Sequence, residues 1–464
     1  MNDAILRVYH RMPPAMRSLI ASARGYRLRR MRYGPETDTL VEQAIERERW
    51  TPERWRKYRE DRLAFLLHRA ATKVPYYREQ WTERRRRGDN ASWEVLANWP
   101  ILTKDAVRQN ARALVAEDCD PNRMTCEHTS GTSGKPLDLW LNASTIRAWY
   151  ALFEARCRRW YGLSRHDRWG ILGGQLVAPA SQSTPPYWVW NAGLNQLYLS
   201  VYHISPRTAA SYLDAIRAHK LRYLVGYPSA LDALAEAAGG DLGLTAVITN
   251  AEPLLPFQRE KIERGFGCPV YETYGMSEIV AAASQCEHGA MHIWPEAGVL
   301  ETVDGNLIST GLMNPDMPLI RYSTGDRVLL GEERPSCPCG RMLPMLGKID
   351  GRADDVLYTA DGRRIGRLDP IFKASLPIHE AQIVQEALDR VRVIYVPDRG
   401  FTPESAADLT RLVRDRMGPI EVVLEPVERV PRSANGKFRA VVCQLPPEVL
   451  EKVRSIGSEA HAAR

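Results

Sequence analysis

"RYLVGYPSALDALAEAAGGDLGLTAVITNAEP", residues 222–253, holds two short apolar runs separated by a stretch of helical spacing. "RYLVGYP" and "LTAVITNAEP" read as buried strands, each closed by Gly, Pro, Asn or Glu. "PSALDALAEAAGG" between them reads as a helix that ends on glycine. The pattern extends both ways. "RWGILGG" upstream and "CPVYETYG" downstream are further strands, and "PRTAASYLDAIRAHK" is another helix. Such alternation predicts an α/β fold with mostly parallel sheets, flanking helices and ligands at the carboxyl ends of the strands. The polar clusters Tyr227-Pro228-Ser229, Asn250-Ala251-Glu252-Pro253 and Tyr274-Gly275-Met276-Ser277-Glu278 fall at such ends. Turn chemistry alone would also place them there.

"EHTSGTSGKPLDLW", Glu127 to Trp140, is of another kind. Thr129, Ser130, Gly131, Thr132, Ser133, Gly134 and Lys135 make poor helix and poor strand. Freed backbone N–H groups, several hydroxyls and one ammonium suit a phosphate. A plain hairpin loop is the bland alternative. The Walker pattern GxxxxGK[ST] is absent.

At 464 residues the chain is too long for one ordinary core, and two or more domains are expected. No apolar run reaches the roughly 18 residues that span a bilayer. Met1 to Arg30 lacks an apolar core followed by a small-residue cleavage site, which argues for a cytoplasmic protein. "MRSLIASARGYRLRRMRY", Met16 to Tyr33, is basic and weakly amphipathic; it reads as a solvated surface helix, with membrane-surface contact as the alternative. Net charge is +7, but 53 arginines against 10 lysines mark a compositional bias, so the charge does not point to nucleic acid, and no base-reading motif is present. Where Lys survives, as at Lys135 and Lys437, a compact ammonium is the useful group. Eight cysteines are too few for a disulfide scaffold, and Cys337-Pro-Cys339 is too closely spaced for a comfortable disulfide, which points to metal.

Residues 40–120 read as helical and charged, with Thr103 as the cap of a helix whose first turn holds Asp105. After "GRADDVLYTADGRRI" the pattern changes. Asp361-Gly362 is a tight hairpin turn, and short strands in "AQIVQEALDRVRVIYVP" and "IEVVLEPV" frame two helices. The boundary falls at Gly351 to Asp355, giving a large domain over 1–350 and a small α+β domain over 351–464.

"TSGTSGKP", "YETYGMSE", "RYSTGD" with "GRADD", and "RSANGK" follow one another in an order that resembles the adenylate-forming superfamily of acyl-CoA synthetases, adenylation domains and luciferases. "VPYYRE", "LTKD", "VGYPSAL", "NAEPL" and "CPCGR" narrow the resemblance to the phenylacetate–CoA ligase-like branch with its CapK-type proteins. The likeness covers residues 60 to 442. It implies that Thr129 to Lys135 hold the β- and γ-phosphates of ATP. Ala251, Glu252, Pro253, Glu272, Thr273, Tyr274, Gly275 and Ser277 would line the nucleotide, with the Tyr274 ring under adenine and Ser277 on the α-phosphate. Glu272 stands where relatives often have Asp or Asn. Glu278 would hold Mg²⁺. Asp326 resembles the carboxylate on the ribose hydroxyls, Arg352 the arginine beside it, and Asp354 the hinge of a mobile small domain. Lys437 resembles the catalytic lysine of adenylation, placed where charge builds as a carboxylate oxygen attacks the α-phosphorus. Cys286, His292, Cys337 and Cys339 would close a structural zinc site, with His288 as the alternative imidazole.

The implied reaction joins a carboxylic acid, expected to be aromatic, to AMP and then to coenzyme A. Transfer to an amine, hydroxyl or carrier protein is the alternative, and a non-catalytic assembly protein is the alternative of another class. A homodimer is expected. The acid pocket is expected along 173–179, 226–229, 251–253 and 275–283, with Ala281, Ala282 and Ala283 leaving room for more than a minimal ring.

Overall fold

The structure of the protein, a computed structural model, describes residues 3–129, 137–179, 181–331, 337–350, 356–365, 368, 371, 376–428, 430, 431, 440–451 and 453. The chain starts with helices: α1 (Asp3–Arg11), α2 (Pro14–Arg32), α3 (Thr37–Arg47), α4 (Pro52–Lys73), α5 (Pro75–Arg86) and α6 (Lys104–Gln109). Prolines open three of these six, as suits a first helical turn that has no N–H partner to lose. The predicted cap at Thr103 is present, its hydroxyl oxygen accepting the Ala106 N–H at 3.2 Å. Strands β1 (Thr125–His128) and β2 (Asp138–Leu141) form an antiparallel pair, and Asn142 caps α7 (Ala143–Cys157).

The next 130 or so positions build the sheet that the sequence predicts. In chain order they are β3 (Trp169–Gly173), β4 (Trp188–Asn191), β5 (Gln196–Ser200), α8 (Ala209–Ala218), β6 (Tyr223–Gly226), α9 (Pro228–Ala235), β7 (Ala246–Thr249), α10 (Pro256–Phe266), β8 (Val270–Gly275), β9 (Ala282–Gln285) and β10 (Met291–Ile293). The strand order is β10-β9-β8-β7-β6-β3-β5-β4. The five central strands β5, β3, β6, β7 and β8 are parallel, and antiparallel pairs close both flanks. β6 and β7 are buried along their whole length, which is why their sequences run apolar without alternation. The chain leaves β3 toward β5 on one side and leaves β6 toward β7 on the other. A ligand crevice is expected where such connections part, here at the carboxyl ends of β3 and β6. Glycine ends both strands for want of space. A Cβ on Gly173 would lie 2.3 Å from the Tyr198 hydroxyl, and one on Gly226 would lie 2.9 Å from Cβ of Leu172.

A second sheet, β11 (Gly298–Val303), β12 (Asn306–Gly311), β13 (Tyr322–Leu330) and β14 (Leu346–Asp350), is wholly antiparallel. The prediction of mostly parallel sheets thus describes the central strands. Beyond the second sheet, β15 (Leu357–Tyr358) and β16 (Arg364–Ile365) form the predicted hairpin, with Gly362 at φ +83°. The small domain holds β17 (Ile378–Ala387), β18 (Arg390–Pro397), α11 (Pro403–Met417), β19 (Glu421–Pro426) and β20 (Val441–Cys443) in strand order β19-β18-β17-β20. The stretch expected to hold short strands is one long hairpin, β17 with β18, because no glycine or proline interrupts it before the turn at Leu388 and Asp389. The proposed boundary at 351–355 lies outside the described residues.

The loop after β3 is held from two sides. Arg17 of α2 donates to the Val177 carbonyl at 3.2 Å, and His10 of α1 meets the Leu176 carbonyl at 2.8 Å. Beyond β5, His203 Nε2 donates to the Pro179 carbonyl at 2.9 Å, so its Nδ1 accepts the Ser200 hydroxyl at 2.8 Å and the ring is neutral. Burial is the main cause that lowers His203 to about 4, with the charges of Arg363 and Arg17 adding to it, against the pull of the Pro179 carbonyl and Asp361. The sign follows from linkage. A base whose folded value is depressed contributes stability above its unfolded value near 6.5, and that stability is lost as pH falls toward 4. Wild type should therefore melt above His203→Gln at pH 7, and the gap should narrow as pH falls from about 6.5 to about 4. A gap independent of pH, measured by calorimetry, would show that the ring is not held neutral.

Candidate functional site

Two tyrosine–carboxylate hydrogen bonds fix the polar groups at the end of β8. Tyr274, in β8, donates to Asp326 Oδ2 of β13 at 2.9 Å. Tyr322, at the start of β13, donates to Glu278 Oε1 just beyond β8 at 2.8 Å. β13 thus supplies one tyrosine and receives one, while β8 supplies Tyr274 and the turn after it receives Tyr322; the fully buried Tyr322 leaves its carboxylate partner half-buried. Bonds to ionised acceptors are among the stronger hydrogen bonds. Asp326 is shaped further by its own backbone N–H, which donates to the Thr324 hydroxyl at 3.1 Å. Gly275 and Ser277 are exposed beside this pair, and Thr273 donates to the Thr249 carbonyl of β7 at 2.7 Å, which locks the ends of β7 and β8 together.

At the end of β7 the chain turns through Ala251, held in the left-handed region at φ +64°. Glu252 reaches back so that Oε2 accepts the Ser229 N–H at 3.0 Å, which satisfies a first-turn donor of α9. Ala251 and Pro253 are exposed at that turn. The buried Asn250 Oδ1 has no hydrogen-bond partner among the described residues. Such an atom is costly unless a ligand or water completes it. Glu272 has its Oε2 3.9 Å from Arg259 of α10; burial pushes its carboxyl up, while Arg259 draws it back. The expected room at Ala281, Ala282 and Ala283 is absent. All three are buried in the sheet, with Ala281 and Ala283 packed against Ile293 and Leu307 and Ala282 against Trp294, because residues in a strand alternate between two covered faces.

Thr129 closes the neck of the glycine-rich loop. Its hydroxyl oxygen accepts the Leu137 N–H at 2.9 Å, and its own N–H donates to the Leu137 carbonyl at 3.1 Å. Ser130, Gly131, Thr132, Ser133, Gly134 and Lys135 lie outside the described residues, as do Arg352, Asp354 and Lys437.

The four expected metal ligands converge. One ligand atom from each of Cys286, His292, Cys337 and Cys339 lies within 4.8 Å of every other. The Cys286 and Cys337 sulfurs are 3.6 Å apart, and the Cys339 sulfur is 3.4 Å from His292 Nε2. Bonds of about 2.3 Å to a tetrahedral zinc would set ligand atoms about 3.7 Å apart, so the donor set and its spacing fit that ion. His292 Nδ1 faces the Leu343 carbonyl at 3.2 Å, the outer contact that fixes a metal-binding tautomer. His288 is exposed and outside the cluster.

Sequence reasoning missed Tyr322, although it stood inside the quoted "RYSTGD". It missed Arg341 next to the cysteines as well. That guanidinium lies 4.2 Å over the Trp160 ring and bonds Glu287 at 2.7 Å. Its signal was the Arg that follows "CPCG".

The AMP-binding enzyme family matches residues 56–311, and the CapK C-terminal domain matches 357–444. Protein CapK of Staphylococcus aureus is 26% identical over 74% of this chain and 79% of its own. The phenylacetate-coenzyme A ligase of Thermus thermophilus is 26% identical over 89% of this chain and 99% of its own. Among solved structures, 2-hydroxyisobutyryl-CoA ligase in complex with 2-HIB-AMP and CoA in the thioesterification state superposes with a TM-score of 0.52 at 19% identity, over 86% of this chain and 92% of that one. At that identity it shows the fold alone.

Removing the Tyr322 hydroxyl should unlock the two sheets. Tyr322→Phe is expected to cost about 1.5–3 kcal/mol in urea unfolding, as for other bonds to a charged group. Glu278→Gln in the Tyr322→Phe background should then cost less than it does alone. Additive losses would mean that the two side chains do not act through each other.

Proposed function

The chain belongs to the AMP-binding enzyme family, and we propose that it activates a carboxylic acid as an acyl-adenylate and passes the acyl group to coenzyme A. The observation that carries this is the crossed pair Tyr274–Asp326 and Tyr322–Glu278, which holds two carboxylates at the carboxyl end of β8. The phenylacetate-coenzyme A ligases among its relatives suggest the acceptor.

In the first step an oxygen of the acid bonds to the α-phosphorus of ATP, the bond to the bridging oxygen breaks, and pyrophosphate leaves. Ser130 to Lys135 would cradle the phosphates and Ser277 would donate to the α-phosphate. Asp326, oriented by Tyr274, would accept from the ribose hydroxyls, with Arg352 beside it and the Tyr274 ring against adenine. Ala251, Glu252, Pro253, Glu272, Thr273 and Gly275 would shape the base and acyl ends of the crevice. Mg²⁺, when bound, would neutralise phosphate charge, and Glu278 is the residue to hold it, since Tyr322 already fixes its hard oxygen donor. Lys437 would meet the charge that develops in this step. In the second step the coenzyme A sulfur bonds to the acyl carbon and the bond to AMP breaks. An aromatic acid, a homodimer, a cytoplasmic location and a hinge at Asp354 are finer parts of the same proposal.

A second acceptor class is the alternative. Transfer to an amine, hydroxyl or carrier protein is what the resemblance to CapK-type proteins adds to the proposal, and the C-terminal match is to the CapK C-terminal domain. Pyrophosphate exchange across a panel of acids, followed by addition of coenzyme A, separates the two. Exchange with thioester formation supports the first reading, exchange without it supports the second, and no exchange with any acid removes both.

Lys437→Ala should lose adenylation by several orders of magnitude yet keep thioester formation from supplied acyl-AMP, since its charge serves only the first step. Equal loss in both steps would make Lys437 structural. The four-ligand cluster is proposed to hold one structural zinc. Elemental analysis should find about one zinc per chain after mild EDTA treatment, and Cys339→Ser should lower the melting temperature more than it changes rates at low temperature. Metal-free protein with unchanged melting would refute the site.

A further inference from the structure

The first two helices carry their apolar side chains on the wrong face for a simple surface helix. In α2 the face against the protein is small and polar. Ser18 Oγ accepts the Trp190 N–H at 3.2 Å, Ser22 Oγ accepts the Ala192 N–H at 3.0 Å, and a Cβ on the buried Gly25 would lie 1.7 Å from Asn191 Oδ1. The opposite face carries Met16, Leu19 and Ile20, three and four residues apart, with Leu19 70% exposed. On α1 the buried Tyr9 faces inward, and Ile5 and Val8 are exposed. With Tyr26 these supply six of the thirteen exposed large apolar side chains among the described residues. An ordinary surface helix turns such a stripe toward the core.

Charge is just as uneven. Residues 1–33 contain eight arginines and one aspartate, a net +7, while residues 34–464 hold 55 basic and 55 acidic residues. The whole excess charge of the chain therefore sits in the segment that exposes the apolar stripe. Arg7, Arg11, Arg24, Arg27, Arg29 and Arg30 are exposed and form no ion pair among the described residues.

We propose that α1 and α2 form a docking face for an anionic lipid bilayer, with Ile5, Val8, Met16, Leu19 and Ile20 entering the headgroup–acyl boundary and the arginines on lipid phosphates. The geometry is that of an interfacial helix: an apolar face sinks shallowly and long cationic side chains reach back to the headgroups. Among the described residues no helix is long and apolar enough to cross a membrane, so attachment here is to the surface. Charge selects this occupant over a second copy of the chain, because a homotypic contact would bring two +7 segments together. The same helices grip the loop after β3 through Arg17 and His10, so the docking face is tied directly to one wall of the crevice.

The test is flotation of the full chain with vesicles of phosphatidylcholine alone or mixed with phosphatidylglycerol. The chain should float with the mixed vesicles and not with phosphatidylcholine alone, and binding should fall severalfold in about 0.5 M salt. Leu19→Glu/Ile20→Glu should cut the bound fraction about tenfold with unchanged melting temperature, since both side chains already face solvent. Tyr26→Trp should show a blue shift in emission with the mixed vesicles. Failure to float with phosphatidylglycerol, or equal flotation with both lipids, overturns the proposal. So does a concentration-dependent dimer that Leu19→Glu/Ile20→Glu dissociates without any vesicle binding, which would assign the face to a second copy.

Discussion

The crossed tyrosine–carboxylate bonds fix the two carboxylates on which the proposed chemistry rests. β8 belongs to the parallel sheet and β13 to the antiparallel one, and the two sheets share no ladder. Tyr274 to Asp326 and Tyr322 to Glu278 join them at 2.9 and 2.8 Å. Because each sheet gives one donor and takes one, a slide of either sheet breaks both bonds at once. Ordered carboxylates result, and an ordered carboxylate binds a cation or a ribose without first giving up rotamer freedom.

Behind the crevice a buried charge network sets the position of the cysteine loops. Arg156 meets Glu296 through two bonds of 2.7 and 2.8 Å, and Arg47 of α3 adds a third at 2.9 Å. Burial alone would push the Glu296 carboxyl up, and these two guanidiniums hold it below its ordinary value. Glu48 differs: burial wins, and its carboxyl is raised although Arg156 and Arg341 face it. A buried pair of this kind adds little net stability over a packed apolar core, but a lost partner costs several kcal/mol, so the network acts by specifying one arrangement. That arrangement brings the Glu48 carbonyl to the Met342 N–H at 2.8 Å and Arg341 to Glu287, which seats both cysteine segments at the end of α3.

What could be read from the chain alone follows from how local the causes are. The strands β6 and β7, and with them the largely buried β3, were legible because a doubly covered strand is apolar along its length. Cys286, His292, Cys337 and Cys339 were legible as a group through the family resemblance, and their ligand atoms lie within 4.8 Å of one another. Thr129 was legible as part of a loop but not as the hydroxyl that closes its neck, since that depends on where Leu137 returns. Alanines at 281–283 suggested space, yet β9 has cores on both faces, and a small residue between two sheets means close approach. The antiparallel sheet β11–β14 was not seen, because its strands alternate weakly and their partners are set by bulges at Asn306 to Ile308 and Val328 to Leu330. The crossed tyrosines are long-range pairs, and nothing local marks them.

Arg363 sets a condition on any movement of the small domain. Its guanidinium donates to the Tyr202 carbonyl of the large domain at 2.6 Å and to the Met417 carbonyl at the end of α11 at 2.7 Å. Next to it Arg364 pairs with Asp232 at 2.8 Å and Glu236 at 2.7 Å, both on the α9 side. Leu357 and Ile365 of the hairpin lie in the same apolar cluster as Leu231 and Leu234. The ion pairs with half-exposed Glu236 exchange readily for water, and such pairs contribute little. Apolar contact is different, since each buried leucine or isoleucine re-exposed costs about 1.5–3 kcal/mol. A rotation that carried the β15–β16 hairpin with the small domain would expose that cluster on α9, whereas one that left the hairpin on α9 would break the Arg363 bonds to α11 and the two bonds of 2.8 and 2.6 Å that join the Tyr358 backbone to Gln385 of β17. The hairpin is thus bonded on both sides, and any movement of the small domain has to break one of these two sets.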